Sequence, residues 1–402
     1  MSLKRLVSKR KLNILGLNSG TSADGLDMAL VAISSRGNVK TIKVLTGHTR
    51  SYPDELRKRL LHLADAGQVE LDELIYLDNV LGSFCGKAAS RYIKRLTARG
   101  LTVDAVASHG QTVRHLPRRV RRLGETVRGS LQLGSPEFVA TATGRVVVAD
   151  FRQGDIALGN EGAPITAAAM ARLLTVADES RLIVNIGGMS NYFYLPAANS
   201  RFRPLAADCG PGNSLCDILS WSLFREKFDR DGRHASRGDI SGRLLSALRR
   251  MSRAGGSTVS TGREKYGPGL AAKAAALGRE QGLSKNDLMA TVAQLTVSSV
   301  VAKVAPIAGR DKRLTKLYLT GGGRHNIFFV EKLKNSLPDL AVRPIDELGL
   351  SGDHLEAVAY AVMGEACLRS EALPTNFTGD TGNALCPVPG SIVQPPDRAQ
   401  RT

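Results

Sequence analysis

Cysteine is sparse in this chain of 402 residues: Cys85, Cys209, Cys216, Cys367 and Cys386 are odd in number, scattered, and nowhere spaced as CxxC. That pattern argues against a disulfide framework and a structural zinc site. The seven histidines show no HExxH or other ligand spacing, so no dedicated metal cage is expected. Aromatic residues make up only 5% and are not interleaved with the basic ones, as a single-strand nucleic-acid surface would need. No apolar run approaches the roughly 20 residues that cross a bilayer. The basic start MSLKRLVSKRKLNILGL leads straight into a Gly/Ser/Thr turn, so it reads as an arm before a first strand and not as a signal peptide. The expectation is a cytoplasmic protein with no membrane partner. GxxxxGKS and GxxxxGKT are also missing, so any phosphate site is not a Walker A loop.

Acidic residues are outnumbered, 37 against 55 basic, giving a net charge of +18. The excess clusters at Lys4–Lys11 and Arg114–Arg128. Charge of this size can mean nucleic acid, but without a matching motif it reads as a surface that attracts anions such as ATP. The length suggests two domains, and 43% hydrophobic residues can build a real core. Strand-like runs at Leu12–Leu17, Met28–Ile33, Val39–Leu45, Val103–Ser108, Arg145–Ala149, Leu182–Ile186, Tyr192–Leu195 and Lys316–Leu319 alternate with helical stretches. The helical ones are Leu71–Arg99, Ala163–Leu174, Asp239–Met251, Lys285–Val304 and Gly352–Cys367. Such alternation predicts an α/β protein.

Two segments repeat a shape. Leu12–Ile33 and Leu182–Leu195 each run strand, small-residue turn, strand, with Gly187-Gly188 at the second turn. Glycine turns can aim backbone N–H groups at a phosphate, so one such hairpin in each half suits a nucleotide held between two lobes. The first turn, SGTSADGLD, adds the hydroxyls of Ser19, Thr21 and Ser22 and the carboxylates of Asp24 and Asp27. This is the chemistry that holds phosphate, with Mg2+ bound through water. A third glycine site, Gly321-Gly322-Gly323, follows an apolar strand and precedes a helix. Asp208 precedes Gly210-Pro211-Gly212 and a helix near Leu215–Phe224, and reads equally as a general base or as a helix cap. Two further loops, Ser108–His115 and Ala149–Pro164, follow apolar strands and are dense in hydrogen-bonding side chains suited to a polyhydroxylated ligand. In the second, Asp150 and Asp155 can act as paired carboxylates, or Arg152 between them can form a structural ion pair.

In this order SGTSADGLD, SHGQTVRH, the Asp150–Pro164 stretch, NIGGMSN, DCGPGN, STGRE (Ser260–Glu264), TGGGRHN and SGDHLEA (Ser351–Ala357) resemble the anhydro-N-acetylmuramic acid kinase family, over about residues 14–377. The resemblance implies two actin-like (ribonuclease H-like) lobes with an ATP cleft between them. The lobes are expected at 1–150 with 375–402, and at 151–374. It implies that ATP and Mg2+, the ion held mainly through phosphates and water, serve a kinase acting on 1,6-anhydro-N-acetylmuramic acid from recycled peptidoglycan. Water attacks the anomeric carbon, the anhydro bridge opens, and O6 takes the γ-phosphate. By position Asp208 is the general base and Glu356 the second catalytic carboxylate. Gly20, Thr21, Ser22, Ala23, Asp24, Gly25, Leu26, Asp27, Gly187, Gly188, Gly210, Gly212, Asn213, Gly321, Gly322, Gly323 and Asn326 fall on the ATP side. His109, Gln111, Thr112, Asp150, Arg152 and Asp155 fall on the sugar side. A homodimer is the family-level expectation.

The chain departs from the family's usual pattern at Asn18 (methionine), at Gln153 and Gly154 (arginines) and at Glu161 (glutamine). TGDTGNALCP near the C-terminus is a loose match. The departures near the sugar stretch leave open a kinase for another anhydro sugar such as levoglucosan, and the +18 charge leaves open a non-catalytic ATP- or nucleic-acid-binding protein on the same scaffold.

Overall fold

The computed structural model describes residues 3–36, 39–253, 263–374, 377 and 387–396. Ser260–Gly262 of the STGRE motif, Cys386 and nearly all of TGDTGNALCP lie outside them. The chain divides into two compact units, Met1–Leu173 with His354–Asn376 and Thr381–Thr402, and Leu174–Asp353 with Phe377–Asp380. The first break falls after residue 173 and not at 150, because the stretch after Asp150 stays bonded to its own strand ends. The helix Leu355–Leu368, expected in the C-terminal lobe, packs in the first unit against its central strands.

The first unit opens with β1 (Lys11–Ser19), β2 (Gly25–Arg36), β3 (Val39–Ser51), β4 (Ala105–Arg122), β5 (Glu125–Leu133) and β6 (Val146–Ala149). β1, β2 and β3 form an antiparallel meander, β4 lies parallel to β1, and β6 parallel to β4. β5 pairs only with β4, outside the main strand order. The second unit holds β7 (Ser180–Ile186), β8 (Met189–Leu195), β9 (Leu205–Pro211), β10 (Leu314–Thr320) and β11 (Ala341–Pro344). Here too the first three strands are an antiparallel meander, with β10 parallel to β7 and β11 parallel to β10. With β5 and the C-terminal strand set aside and the remaining strands counted within each unit, both sheets run 3-2-1-4-5 with strand 2 reversed. This is the ribonuclease H-like arrangement expected of actin-like lobes, and it appears twice. A last strand, β12 (Ser391–Val393), pairs antiparallel with β6.

Central strands such as β1 and β6 read as continuous apolar runs because both of their faces are covered. One cover on the first sheet is the helix Leu355–Leu368, which is buried at every residue but Glu356, as a helix with almost no polar face must be. It comes very close to β1: a Cβ on Gly16 would lie 1.8 Å from the Ala357 carbonyl oxygen. Its buried Glu365 is neutralised by Lys40 at 2.5 Å and Arg369 at 2.5 Å. In the second unit Lys285–Ala308 starts with a capping box between Ser284 and Asp287. That helix is long and apolar enough to cross a membrane by length and composition, contrary to the expectation that no apolar run approaches this length, yet most of it is buried in the unit's core. Cys85, Cys209, Cys216 and Cys367 are free and buried, and burial pushes the Cys85 thiol up to about 12.

Candidate active site

In the first unit the predicted phosphate loop is the turn joining β1 to β2. The Ala23 N–H bonds to the Gly20 carbonyl at 3.0 Å, and Ala23 is buried with a positive φ of 49°. Gly25 packs on β3, where a Cβ would lie 2.6 Å from the Arg50 carbonyl oxygen. Asp24 is paired with Arg57 at 2.9 Å, and Asp27 accepts from the Thr49 hydroxyl at 2.6 Å. Ser19 donates to Gln111 at 2.5 Å, which ties the turn to the SHGQTVRH segment of β4.

That segment carries His109 and Thr112 along the same strand. The His109 ring stacks on Tyr360 at 4.4 Å and accepts at Nε2 from Arg152 Nε at 3.2 Å. Burial and the Arg152 guanidinium hold its pKa well below the usual histidine range. The ring is thus neutral, with its proton on Nδ1, a buried atom that meets no partner among the described residues. His115 is similar: both ring nitrogens are buried without a partner, and burial and Arg152 push its pKa down to about 4.

Arg152 also donates to the Gly162 carbonyl at 2.6 Å and forms no ion pair with Asp150 or Asp155. Asp155 is buried, and its two oxygens accept from the Gly162 N–H at 2.7 Å and the Asn160 amide at 3.0 Å. Neither the paired-carboxylate nor the ion-pair reading describes this stretch: Asp155 braces the loop and Arg152 orients His109. Asp150 is exposed at a positive φ of 56°, with its carboxyl raised by partial desolvation and by the carboxylates of Glu137 and Asp78. Burial also raises the carboxyl of Glu161, beside Arg128 and Asp155.

Glu356 lies in the first turn of Leu355–Leu368 and is the one residue of that helix that is not buried. Its Oε2 accepts from the Asn18 amide at 2.8 Å. Burial of the carboxyl raises its pKa, and the Asn18 bond and the Arg152 charge oppose that rise. Asn18 and Tyr360 were not singled out as site residues from sequence. The signals were there: Asn18 immediately precedes the phosphate turn, and Tyr360 stands one helical turn after Glu356.

In the second unit the three glycine turns meet at the ends of β7, β9 and β10. The Gly212 and Ser214 N–H groups donate to Gly188 O, and the Asn213 N–H donates to Gly187 O at 2.7 Å. A Cβ on Gly212 would come within 2.2 Å of Gly187 O. Gly321, at φ 73°, and Gly323 pack against Asn185 and Ile186 so closely that side chains there would clash. Asn213 donates to Ile186 O at 3.0 Å, and Asn326 caps the helix Ile327–Ser336 through the Phe329 N–H. Both asparagine side chains thus brace their turns. Asp208 sits inside β9, opposite Asn191, and is half-buried. The helix after it, Ser214–Phe224, has Asn213 at its N-cap, so Asp208 does not cap it. β9 continues through Pro211 where the sequence suggested a turn, a placement open to proline because β9 is an edge strand. No group of three metal-ligating side chains occurs among the described residues.

A family model described as anhydro-N-acetylmuramic acid kinase matches residues 12–395. Relatives called anhydro-N-acetylmuramic acid kinase include one from Caldanaerobacter subterraneus subsp. tengcongensis, 33% identical over 93% of this chain and 94% of its own. Another, from Salinibacter ruber, is 33% identical over 98% of this chain and 99% of its own. A third, from Shewanella amazonensis, is 34% identical over 92% and 95%. With a match from the first strand to the last, this chain belongs to the anhydro-N-acetylmuramic acid kinase family.

Proposed function

We propose that this protein is a cytoplasmic, ATP-dependent kinase that opens 1,6-anhydro-N-acetylmuramic acid and phosphorylates O6, giving N-acetylmuramic acid 6-phosphate in peptidoglycan recycling. The observation that carries this reading is the family match over residues 12–395, and the sequence has an aspartate in DCGPGN (Asp208) and a glutamate in SGDHLEA (Glu356) to serve it. Asp208 takes a proton from water as the water oxygen bonds to the anomeric carbon. The bond from that carbon to O6 breaks, and O6 attacks the γ-phosphorus as the bond to ADP breaks. Glu356 is the second candidate catalytic carboxylate, and Asn18 and Arg152 favour its ionised form.

The Gly20–Asp27 turn in the first unit, and separately the turns at Gly187-Gly188, Gly210–Asn213 and Gly321–Gly323 in the second, are the turns that would contact ATP phosphates. Their glycines let the backbone approach phosphate, and Asn326 braces the last of them. Asp24, which is exposed, and Asp27, which is half-buried, would hold a magnesium ion through water; when bound, the ion neutralises charge on the transferring phosphates. His109, with its free Nδ1–H, binds the sugar together with Gln111, Thr112, Asp150 and Arg152, while Asp155 shapes their loop.

Purified protein given ATP, Mg2+ and the anhydro sugar should release ADP and form a 6-phosphate detectable by mass spectrometry. Levoglucosan and free N-acetylmuramic acid are the comparison substrates. ADP release with levoglucosan alone would overturn the choice of sugar, and activity on the free sugar alone would remove the hydrolytic step.

A further inference from the structure

Beyond residue 115, β4 and β5 leave the sheet and continue as a two-stranded ribbon. Val120 pairs with Val127, Arg121 with Thr126, and Arg122 with Glu125. Every residue from Arg118 to Val127 is exposed. Four arginines (Arg118, Arg119, Arg121, Arg122) stand against one acid, Glu125. The aliphatic side chains of Leu116, Val120, Leu123 and Val127 are also in water, with Leu123 fully exposed at the tip.

The tip itself is unusual. Leu123 and Gly124 form the two-residue turn, with φ values of 50° and 86°. Such a turn favours asparagine or aspartate before glycine, and a bulky side chain at positive φ is strained. Leucine here gains nothing from burial and costs conformational energy, so nothing among the described residues accounts for it.

We propose that the ribbon Leu116–Val127 docks on an anionic lipid surface, with Leu123 and its valine neighbours entering the headgroup boundary and Arg121 and Arg122 meeting the phosphates. Arginines around an exposed aliphatic tip match both halves of such a surface, and membranes facing the cytoplasm carry anionic lipid. A nucleic-acid strand would use the arginines and leave the aliphatic tip idle, because the ribbon has no aromatic side chain on which bases could stack. A surface contact needs no spanning segment.

The test is co-flotation of the full-length protein with vesicles of phosphatidylglycerol and phosphatidylethanolamine, compared with phosphatidylcholine alone. Binding is expected on the anionic vesicles, weakening with salt and negligible on the neutral ones. Arg121→Ala with Arg122→Ala should weaken it at least about tenfold. Leu123→Asn is the decisive variant: asparagine suits the turn, so Tm should hold or rise while vesicle binding falls about fivefold or more. The proposal is overturned if the anionic vesicles stay unbound at low salt, or if Leu123→Asn binds them as well as the parent. It is equally overturned if Leu123→Asn instead dissociates a dimer, or if the ribbon arginines retain a DNA duplex and no vesicle.

Discussion

Asn18 shows how one amide can set the working range of a carboxylate. Its Nδ2 donates to Glu356 at 2.8 Å, and a bond of this kind favours the ionised acceptor. Burial pushes the Glu356 carboxyl the other way, above its ordinary value. A hydrogen bond to a charged group is worth about 1.5–3 kcal/mol, or about 1–2 pH units. Asn18→Leu removes the bond at similar volume and lets the Glu356 pKa rise further. If the reaction needs Glu356 ionised, activity that is lost as pH falls should then be lost at a higher pH, with the acid limb of kcat/KM moved up by about 1 unit. A pH-rate profile of the two proteins checks this, and an unmoved limb would remove Glu356 from the ionisations that govern the rate. The neighbouring Arg152 and His109 also show what sequence can and cannot convey. Their motifs marked them as polar residues after strands, which placed them on the ligand side of the sheet. That Arg152 reaches histidine and a carbonyl, not the flanking aspartates, depends on how the Gly159–Gly162 loop folds back, and no spacing rule encodes that.

At the scale of elements, close approach between backbones decides where Glu356 stands. β1 and the helix Leu355–Leu368 are pressed together at Gly16, one residue along the helix from the carboxylate. A methyl group at Gly16 would overlap the Ala357 carbonyl, and backbone cannot move aside as a side-chain end can. Gly16→Ala should therefore cost more than the roughly 1–3 kcal/mol of ordinary overpacking, lowering Tm by about 5 °C or more, and should displace Glu356 enough to depress kcat. Gly20→Ala is the matched control, because nothing lies within 4 Å of a Cβ there. Its Tm should stay within about 1 °C of the parent's in a thermal melt. Equal melts for the two variants would mean that β1 and the helix are not held in this contact. Apolar periodicity made most of the central strands and the long helices legible from sequence. It could not reveal β5, whose distal half is exposed on both faces and so shows no alternation, nor β9, whose Gly-Pro-Gly end imitates a turn. The same small residues that obscure β9 shape the site, since Gly212 is what lets the Gly187 carbonyl come near.

For the whole molecule, the 3-2-1-4-5 sheet built twice gives each unit a first hairpin with a glycine-bearing turn, and those two turns were the repeat visible in the sequence. In the proposed reading nucleotide binding and turnover rest on different residues, and that separates them experimentally. A non-hydrolysable ATP analogue that binds only the folded protein stabilises it by about 2.7 kcal/mol at a hundredfold excess over Kd. For units of this size the stabilisation appears as a rise in Tm of about 5–10 °C. Asp208→Asn keeps the shape of β9 and leaves every glycine turn in place, so the rise should persist at full size. The variant loses the proposed general base, and its turnover with the anhydro sugar should fall at least about a thousandfold. Thermal shift and ADP release, measured on the same preparation, distinguish the outcomes. Loss of both would make Asp208 a structural residue of its sheet, and survival of turnover would assign the proton transfer to another group.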